Sequence, residues 1–219
     1  DQSPAKLNGN LIYSNTVTHG GGLLVFSSDA TFNNNVITGN TAVGNGGGLQ
    51  LARSNPTLNG DIIRGNTAGW GGGLSMENES DATLNNVVIA DNQAIIEGSG
   101  LYIKSCSPLL LQTTIARNSG GDGSGLHVTD YGWYYSSVAM TNTIIVSHTV
   151  GVTVTGGSTV TLDTTLWHVN ATDWSGNVSS DNDYHQDPGL SSDGYHLITG
   201  SFAIDRGVDT GVTVDVDGD

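Results

Sequence analysis

A six-residue phrase returns six times along the chain at a spacing of about 25 residues: Asn10-Leu-Ile-Tyr-Ser-Asn15, Asn35-Val-Ile-Thr-Gly-Asn40, Asp61-Ile-Ile-Arg-Gly-Asn66, Val87-Val-Ile-Ala-Asp-Asn92, Thr113-Thr-Ile-Ala-Arg-Asn118 and Thr143-Ile-Ile-Val-Ser-His148. Its third residue is always Ile (Ile12, Ile37, Ile63, Ile89, Ile115, Ile145), and its sixth is Asn five times and then His148. A repeat this short is one coil of a solenoid, which buries its apolar face only when neighbours stack on it. A second phrase interleaves with the first: Gly20-Gly-Gly-Leu23, Gly46-Gly-Gly-Leu49, Gly71-Gly-Gly-Leu74, Gly98-Ser-Gly-Leu101 and Gly123-Ser-Gly-Leu126. Each opens a period-2 stretch (Leu23/Val25, Leu49/Leu51, Leu74/Met76, Leu101/Ile103, Leu126/Val128), the pattern of a strand with one buried face. A third apolar column, Leu7, Phe32, Leu58, Leu84, Leu110 and Met140, lies eight residues before each Asn or His. The three columns predict three short strands per turn and a parallel β-helix of about six to seven coils.

The polar columns fit the same coil. Asn tolerates the left-handed backbone of sharp turns, and Asn stacked on Asn passes amide hydrogen bonds from coil to coil. Asn15, Asn40, Asn66, Asn92 and Asn118 are expected to form one inward ladder, and Asn34, Asn86, Gln112 and Asn142 a partial second one. The period fails after residue 150. One further coil of β-branched residues follows, with Leu162 and Leu166 as its expected core, and the chain then turns polar. Residues 1–170 read as β-helix coils and 171–219 as an irregular cap, because the last coil of a solenoid must hide its strand edges.

Charge narrows the partners. Six Lys+Arg against 21 Asp+Glu give a net charge of −15, which argues against nucleic acid, since that needs a basic stripe, and equally against anionic membranes. No apolar run is long enough for a membrane helix. The single Cys106 has no disulfide partner in the chain and reads as packing. Without an initiator Met or signal peptide, and with a coil beginning near residue 7, the chain reads as a mature or excised portion of a larger secreted protein. Its first coil, lacking a polar terminal turn, is expected to recruit the rest of a parent chain or another copy end to end.

Pairing of an Asn-x-Ala segment with Gly-Gly-Gly-Leu, as in Asn40-Thr-Ala42 to Leu49 and Asn66-Thr-Ala68 to Leu74, resembles the repeats of bacterial right-handed parallel β-helix proteins, including the polymorphic outer-membrane type. The tail from Asp187-Pro188 through Tyr195-His-Leu197 to Ser201-Phe-Ala-Ile-Asp-Arg-Gly207 is similar to the closing segment of large secreted or surface-anchored members. The resemblance implies an all-β, single-stranded right-handed solenoid and a secreted or cell-surface location. It spans adhesins, stalks and polysaccharide-active enzymes, so it fixes the scaffold and not the activity.

Outward positions of the strand after each Gly-Gly-Gly-Leu form two columns: Leu24, Gln50, Ser75, Tyr102, His127, Thr153 and Phe26, Ala52, Glu77, Lys104, Thr129, Thr155. Glu77, Tyr102, Lys104 and His127 thus converge within adjacent coils and are the residues to consider for catalysis, although Glu77 beside Lys104 also reads as a cross-strand charge pair and His127 as a surface histidine. Asp91 and Arg117 invite the same pairing. The insertion Asp130-Tyr-Gly-Trp-Tyr-Tyr-Ser136 lengthens one coil by about four residues. Its Tyr131, Trp133, Tyr134 and Tyr135 either fold down over the scaffold or present faces that stack on sugars or anchor a protein, with Trp70 extending that surface if it lies on the same side.

Catalytic motifs are weak. No Asp cluster accompanies Lys104 as a lyase would need, no carboxylate pair stands at glycosidase spacing, and Gly123-Ser-Gly-Leu-His127 is not a nucleophile elbow. No cofactor is implied beyond structural Ca²⁺, for which the acidic C-terminal residues Asp215, Asp217 and Asp219 are candidates. Asn78, Asn170 and Asn177 begin glycosylation triplets. The expectation is a structural or adhesive module binding an extracellular polysaccharide or cell-surface glycan without turnover; the alternative is a polysaccharide lyase or glycoside hydrolase.

Overall fold

The computed structural model describes residues 4–213. Over that range the chain winds into a solenoid of 25 strands, each pairing in parallel with its equivalent one coil away, from Lys6–Asn8 on Thr31–Asn33 to Thr159–His168 on Val178–Asp181. A full coil carries four strands, for example Thr57–Asn59, Ile62–Arg64, Thr67–Trp70 and Leu74–Glu77, where the sequence pattern predicts three. The extra one is the strand that follows each ladder Asn, such as Thr67–Trp70, which lies outside the three apolar columns. The strands of the Leu58 and Ile63 columns join one 13-stranded sheet, while the extra strand and the Leu74 column form sheets of five and seven strands.

All three apolar columns point inward. Ile12, Ile37, Ile63, Ile89, Ile115 and Ile145 stack in direct register, as do Leu58, Leu84, Leu110, Met140 and Leu162. The seventh coil corrects one expectation. Trp167, not Leu166, pairs with Ile145 and continues the Ile column. Leu166, beside outward Ile144, is buried instead where it bridges to Tyr184 of the C-terminal segment. Trp174 then packs on Trp167 with ring centroids 5.5 Å apart, closing the core with an aromatic pair.

Side-chain ladders hold the turns. In the predicted one, the Asn92 carbonyl accepts from the Asn66 backbone N–H at 2.9 Å and from its amide at 3.0 Å, and the Asn92 amide donates to Asn118 and to the carbonyl of Ile63, both at 3.0 Å. The same pattern runs from Asn15 to Asn118. These amides explain the last Gly of each Gly-Gly-Gly-Leu. A Cβ on Gly73 would lie 2.8 Å from the Asn92 amide nitrogen, and one on Gly48 2.9 Å from that of Asn66. His148 replaces Asn in the sixth coil, its Nε2 accepting from the Asn118 N–H and its Nδ1 donating to Asn170, both at 3.3 Å. Burial pushes its pKa down to about 4, an effect the Asn170 bond partly offsets.

The expected second ladder is displaced by one position. Asn34, Asn86, Gln112 and Asn142 are not inward ladder members but the left-handed turn residues, with φ between 51° and 58°. The second ladder is Asn10, Asn35 and Asp61, exposed at Asn10 and buried at the other two, where Asp61 Oδ1 accepts the N–H and the amide of Asn35 at 2.8 Å. Burial pushes Asp61 up to about 6 against those bonds and one from Asn59. A third ladder, Ser28, Ser54, Ser80, Cys106, Ser136 and Ser158, passes each backbone N–H to the next Oγ or Sγ. Cys106 is a ladder member, buried, with its thiol pushed up by burial to about 12.

After Thr172–Ser175 and Val178–Asp181 extend the sheets, the chain runs back along the side of the rod. Leu190 and Tyr195 cover outward Val88, Ala90, Ala116 and Val146. Arg117 makes the expected pair with Asp91, at 2.8 and 2.6 Å, and also donates to the carbonyls of Gly194 and Asp193 at 2.6 and 2.8 Å. The Asn142 amide grips the backbone of Val208 from both sides, at 2.7 and 2.9 Å. Asp215, Asp217 and Asp219, the Ca²⁺ candidates, lie outside the described residues.

Candidate functional site

The outward face of the seven-stranded sheet carries the residues singled out in the sequence, but in two layers. In register, Ser75, Tyr102 and His127 form one row and Glu77, Lys104 and Thr129 the other. The first row is buried although it points away from the core. His127 is 4 % exposed and Tyr102 7 %, so His127 is not the surface histidine expected from sequence. Asp122, on the corner preceding its strand, covers it: Oδ2 stands 2.6 Å from His127 Nδ1, and the Ser124 hydroxyl donates to the same carboxylate at 2.7 Å. Burial alone would raise Asp122, but bonds from His127 and Ser124 hold it down at about 2. The Tyr102 ring lies 5.8 Å from the imidazole, and burial together with Glu97 and Glu77 pushes its hydroxyl up to about 12. This layer is a hydrogen-bonded polar cluster, whose histidine faces exposed Asp122 on one side and Thr155 Oγ1, 3.4 Å from Nε2, on the other.

The second row lines a groove of about 720 Å³. Glu77 and Lys104 pair as strand neighbours but make no ion pair. The Glu77 carboxylate instead accepts from the amide of Asn45 and, at 3.1 Å, from the hydroxyl of Ser75. Lys104 Nζ turns the other way and sits 4.8 Å above the centre of the Tyr131 ring. Arg53, Asn55, Asn78, Glu79 and Ser105 complete the groove with Tyr131 and Tyr134.

The aromatic insertion forms the roof of this groove. Tyr131 and Tyr134 exchange backbone hydrogen bonds of 3.4 and 3.3 Å, closing a tight turn that needs Gly132 at φ 67°. Trp133 at its tip is 87 % exposed, and Tyr131 and Tyr134 are 70 % and 63 % exposed. Of the two readings of this loop, the one in which it folds down over the scaffold is excluded for these three rings. Its base is fixed: Asp130 accepts from the Gly157 N–H at 3.2 Å, and the Tyr135 ring lies so close to Gly157 that a Cβ there would come within 2.4 Å of it. Trp70 is half-buried on the five-stranded sheet and is not part of the groove. The structure therefore brings together Glu77, Lys104, Tyr131 and Tyr134, exposes Trp133 at the tip of the loop and Tyr135 at its base, and leaves Trp70, Tyr102 and His127 outside the groove.

Sequence reasoning missed Arg53 and Asp122. Arg53 directly follows the outward column at Ala52, in a left-handed turn position shared with Asn78 and Ser105, so the register could have placed it. Asp122 belongs to a corner that departs from the repeat, and no column marks it. Among the described residues no group of three or more His, Cys, Asp or Glu is arranged to hold a metal ion.

A family model for the right-handed β-helix region matches residues 1–166. The chain belongs to the right-handed β-helix family. No curated protein and no solved structure matches it. Right-handed β-helices include adhesins as well as polysaccharide-acting enzymes, so membership accounts for the coils and the stacked sheets and fixes no activity.

Proposed function

We propose that this β-helix is a secreted or cell-surface module that binds carbohydrate without turning it over. The observation that carries the reading is the anchored loop Asp130–Ser136, which exposes Tyr131, Trp133, Tyr134 and Tyr135 and sets Tyr131 and Tyr134 in the wall of a groove lined by amides, a hydroxyl and charged side chains. Aromatic faces stack on the apolar faces of sugars, and a loop held at both ends loses little entropy on binding. The alternative, a polysaccharide lyase or hydrolase, has less support. A base or acid must reach its substrate, yet His127 and Tyr102 are buried and Glu77 is engaged by Asn45 and Ser75.

Glycan-array binding of the wild type, Trp133→Ala and Tyr134→Ala, run beside an assay for reducing ends and unsaturated uronates on the same polysaccharides, tests the proposal. Binding that both substitutions weaken, with no product, supports it; product release replaces it by the enzymatic reading. End-to-end association belongs to the same proposal. A sedimentation coefficient independent of concentration would remove that part.

A further inference from the structure

We infer that the groove beneath the aromatic loop selects glycans bearing an anionic substituent, which Arg53 and Lys104 receive. This rests on the carbohydrate reading and names its ligand class. The chain has only six Lys+Arg among 21 Asp+Glu, and two of those six line this one groove. Among the described residues Arg117 is the one Lys or Arg held in an ion pair, by Asp91. Register places Glu77 directly beside Lys104, yet Glu77 is held by Asn45 and Ser75, and among the described residues neither Lys104 nor Arg53 makes an ion pair.

Both cations are instead positioned by aromatic rings. Lys104 Nζ lies over Tyr131 at 4.8 Å, and the Arg53 guanidinium over Phe26 at 5.8 Å. A ring orients a cation without consuming its hydrogen-bond donors, so Arg53 offers a planar fork and Lys104 a point charge to a carboxylate or sulfate. Such a group would sit on the groove wall, while the sugar ring that carries it meets the tyrosines. Glu79 lines the same groove and disfavours a second anion close by. An acidic unit flanked by neutral sugars therefore fits better than an unbroken polyanion.

The test is calorimetric titration with size-matched oligosaccharides of three kinds: hyaluronate fragments, in which the uronate alternates with a neutral sugar, sulfated galactan fragments, and neutral glucan fragments. Wild type, Lys104→Met, Arg53→Asn and Trp133→Ala are compared after their melting temperatures are shown to match. Asn replaces Arg53 because that position sits at φ 53° and Asn accepts the left-handed conformation. The expected result is binding of an anionic oligosaccharide over the neutral one, weakened about tenfold by either cation substitution and further by high salt. Preference for hyaluronate identifies the anion as a carboxylate, and preference for the galactan as a sulfate. Neutral glucan bound as tightly as either, with the cation variants unchanged and Trp133→Ala impaired, overturns this inference alone. Absence of binding to all three overturns it together with the carbohydrate reading.

Discussion

Replacing Asn92 by Leu removes one rung from the middle of the inward ladder, and the cost follows from the bonds it makes. Asn92 is fully buried. Its Oδ1 accepts the backbone N–H and the amide of Asn66, and its amide donates to Asn118 Oδ1 and to the Ile63 carbonyl. Leucine satisfies none of these. Asn118 Oδ1 keeps the Asn92 backbone N–H as a donor and the Ile63 carbonyl stays within the paired sheet, but the Asn66 N–H and one Asn66 amide hydrogen become orphans in a dry interior. At roughly 1–3 kcal/mol per buried unsatisfied group, two of them cost about 2–6 kcal/mol, a large part of the 5–15 kcal/mol that ordinary domains possess. The leucine methyls must also fit beside Gly73, where the amide nitrogen already stands 2.8 Å from the site of a Cβ. Asn15, the exposed first rung, donates to Asn40 and to Tyr13 at the solvent-facing end, so Asn15→Leu should cost less than about 1 kcal/mol because water can replace those partners. Urea denaturation of both variants, followed by far-ultraviolet circular dichroism, measures the difference. Equal, small shifts in midpoint would refute the argument that the ladder is a buried and mutually dependent structure.

His148 must be neutral to accept from Asn118, so its contribution is complete above its unfolded pKa of about 6.5 and is lost as pH falls toward 4. The loss is about 3 kcal/mol, and His148→Asn should remove that acid-side dependence when the two stability–pH curves are subtracted; superimposable curves would contradict it. Arg117→Ala should lower global stability by less than about 1 kcal/mol, since its ion pair with Asp91 is substantially solvent-exposed. It should nevertheless free the segment around Gly194, so that limited proteolysis cuts near residues 190–200 faster than in the wild type, and unchanged cleavage would show that this clamp is dispensable. Cys106 should resist thiol reagents at pH 8 until the protein unfolds, because it is buried with its pKa pushed up to about 12. Cys106→Ser should fold normally as one more serine rung, and rapid native labelling would refute that placement.

What the sequence showed and what it hid divide along the repeat. Columns whose residue type is dictated by the interior, such as Ile63 and its equivalents or the glycine beside each ladder amide, recur at fixed spacing and could be read directly. The turn columns were harder, because Asn is suited both to a left-handed corner and to a buried ladder. Asn34 and Asn35 stand side by side and perform one task each. The serine ladder escaped notice because a hydroxyl at a turn looks ordinary, and Cys106 masked its continuity. In the outer face, alternation told which side chains point outward but not whether they meet solvent. Tyr102 and His127 obey the register and are still buried: Asp122, on the corner before the His127 strand, bonds the imidazole, and the Tyr102 ring packs beside it. Trp167 rather than Leu166 continues the Ile column because a left-handed corner at Thr164 sets the two inward positions five residues apart, as at Met140 and Ile145, and simple period-2 alternation passes over that corner.

The most direct measurement for the central claim is isothermal titration of the intact protein with glycan-array hits, paired with prolonged incubation of the same glycans and chromatographic analysis of their length. The account predicts saturable binding that Trp133→Ala and Tyr134→Ala weaken while every glycan keeps its length. Shortened or unsaturated products, or binding untouched by removal of those two rings, would contradict it.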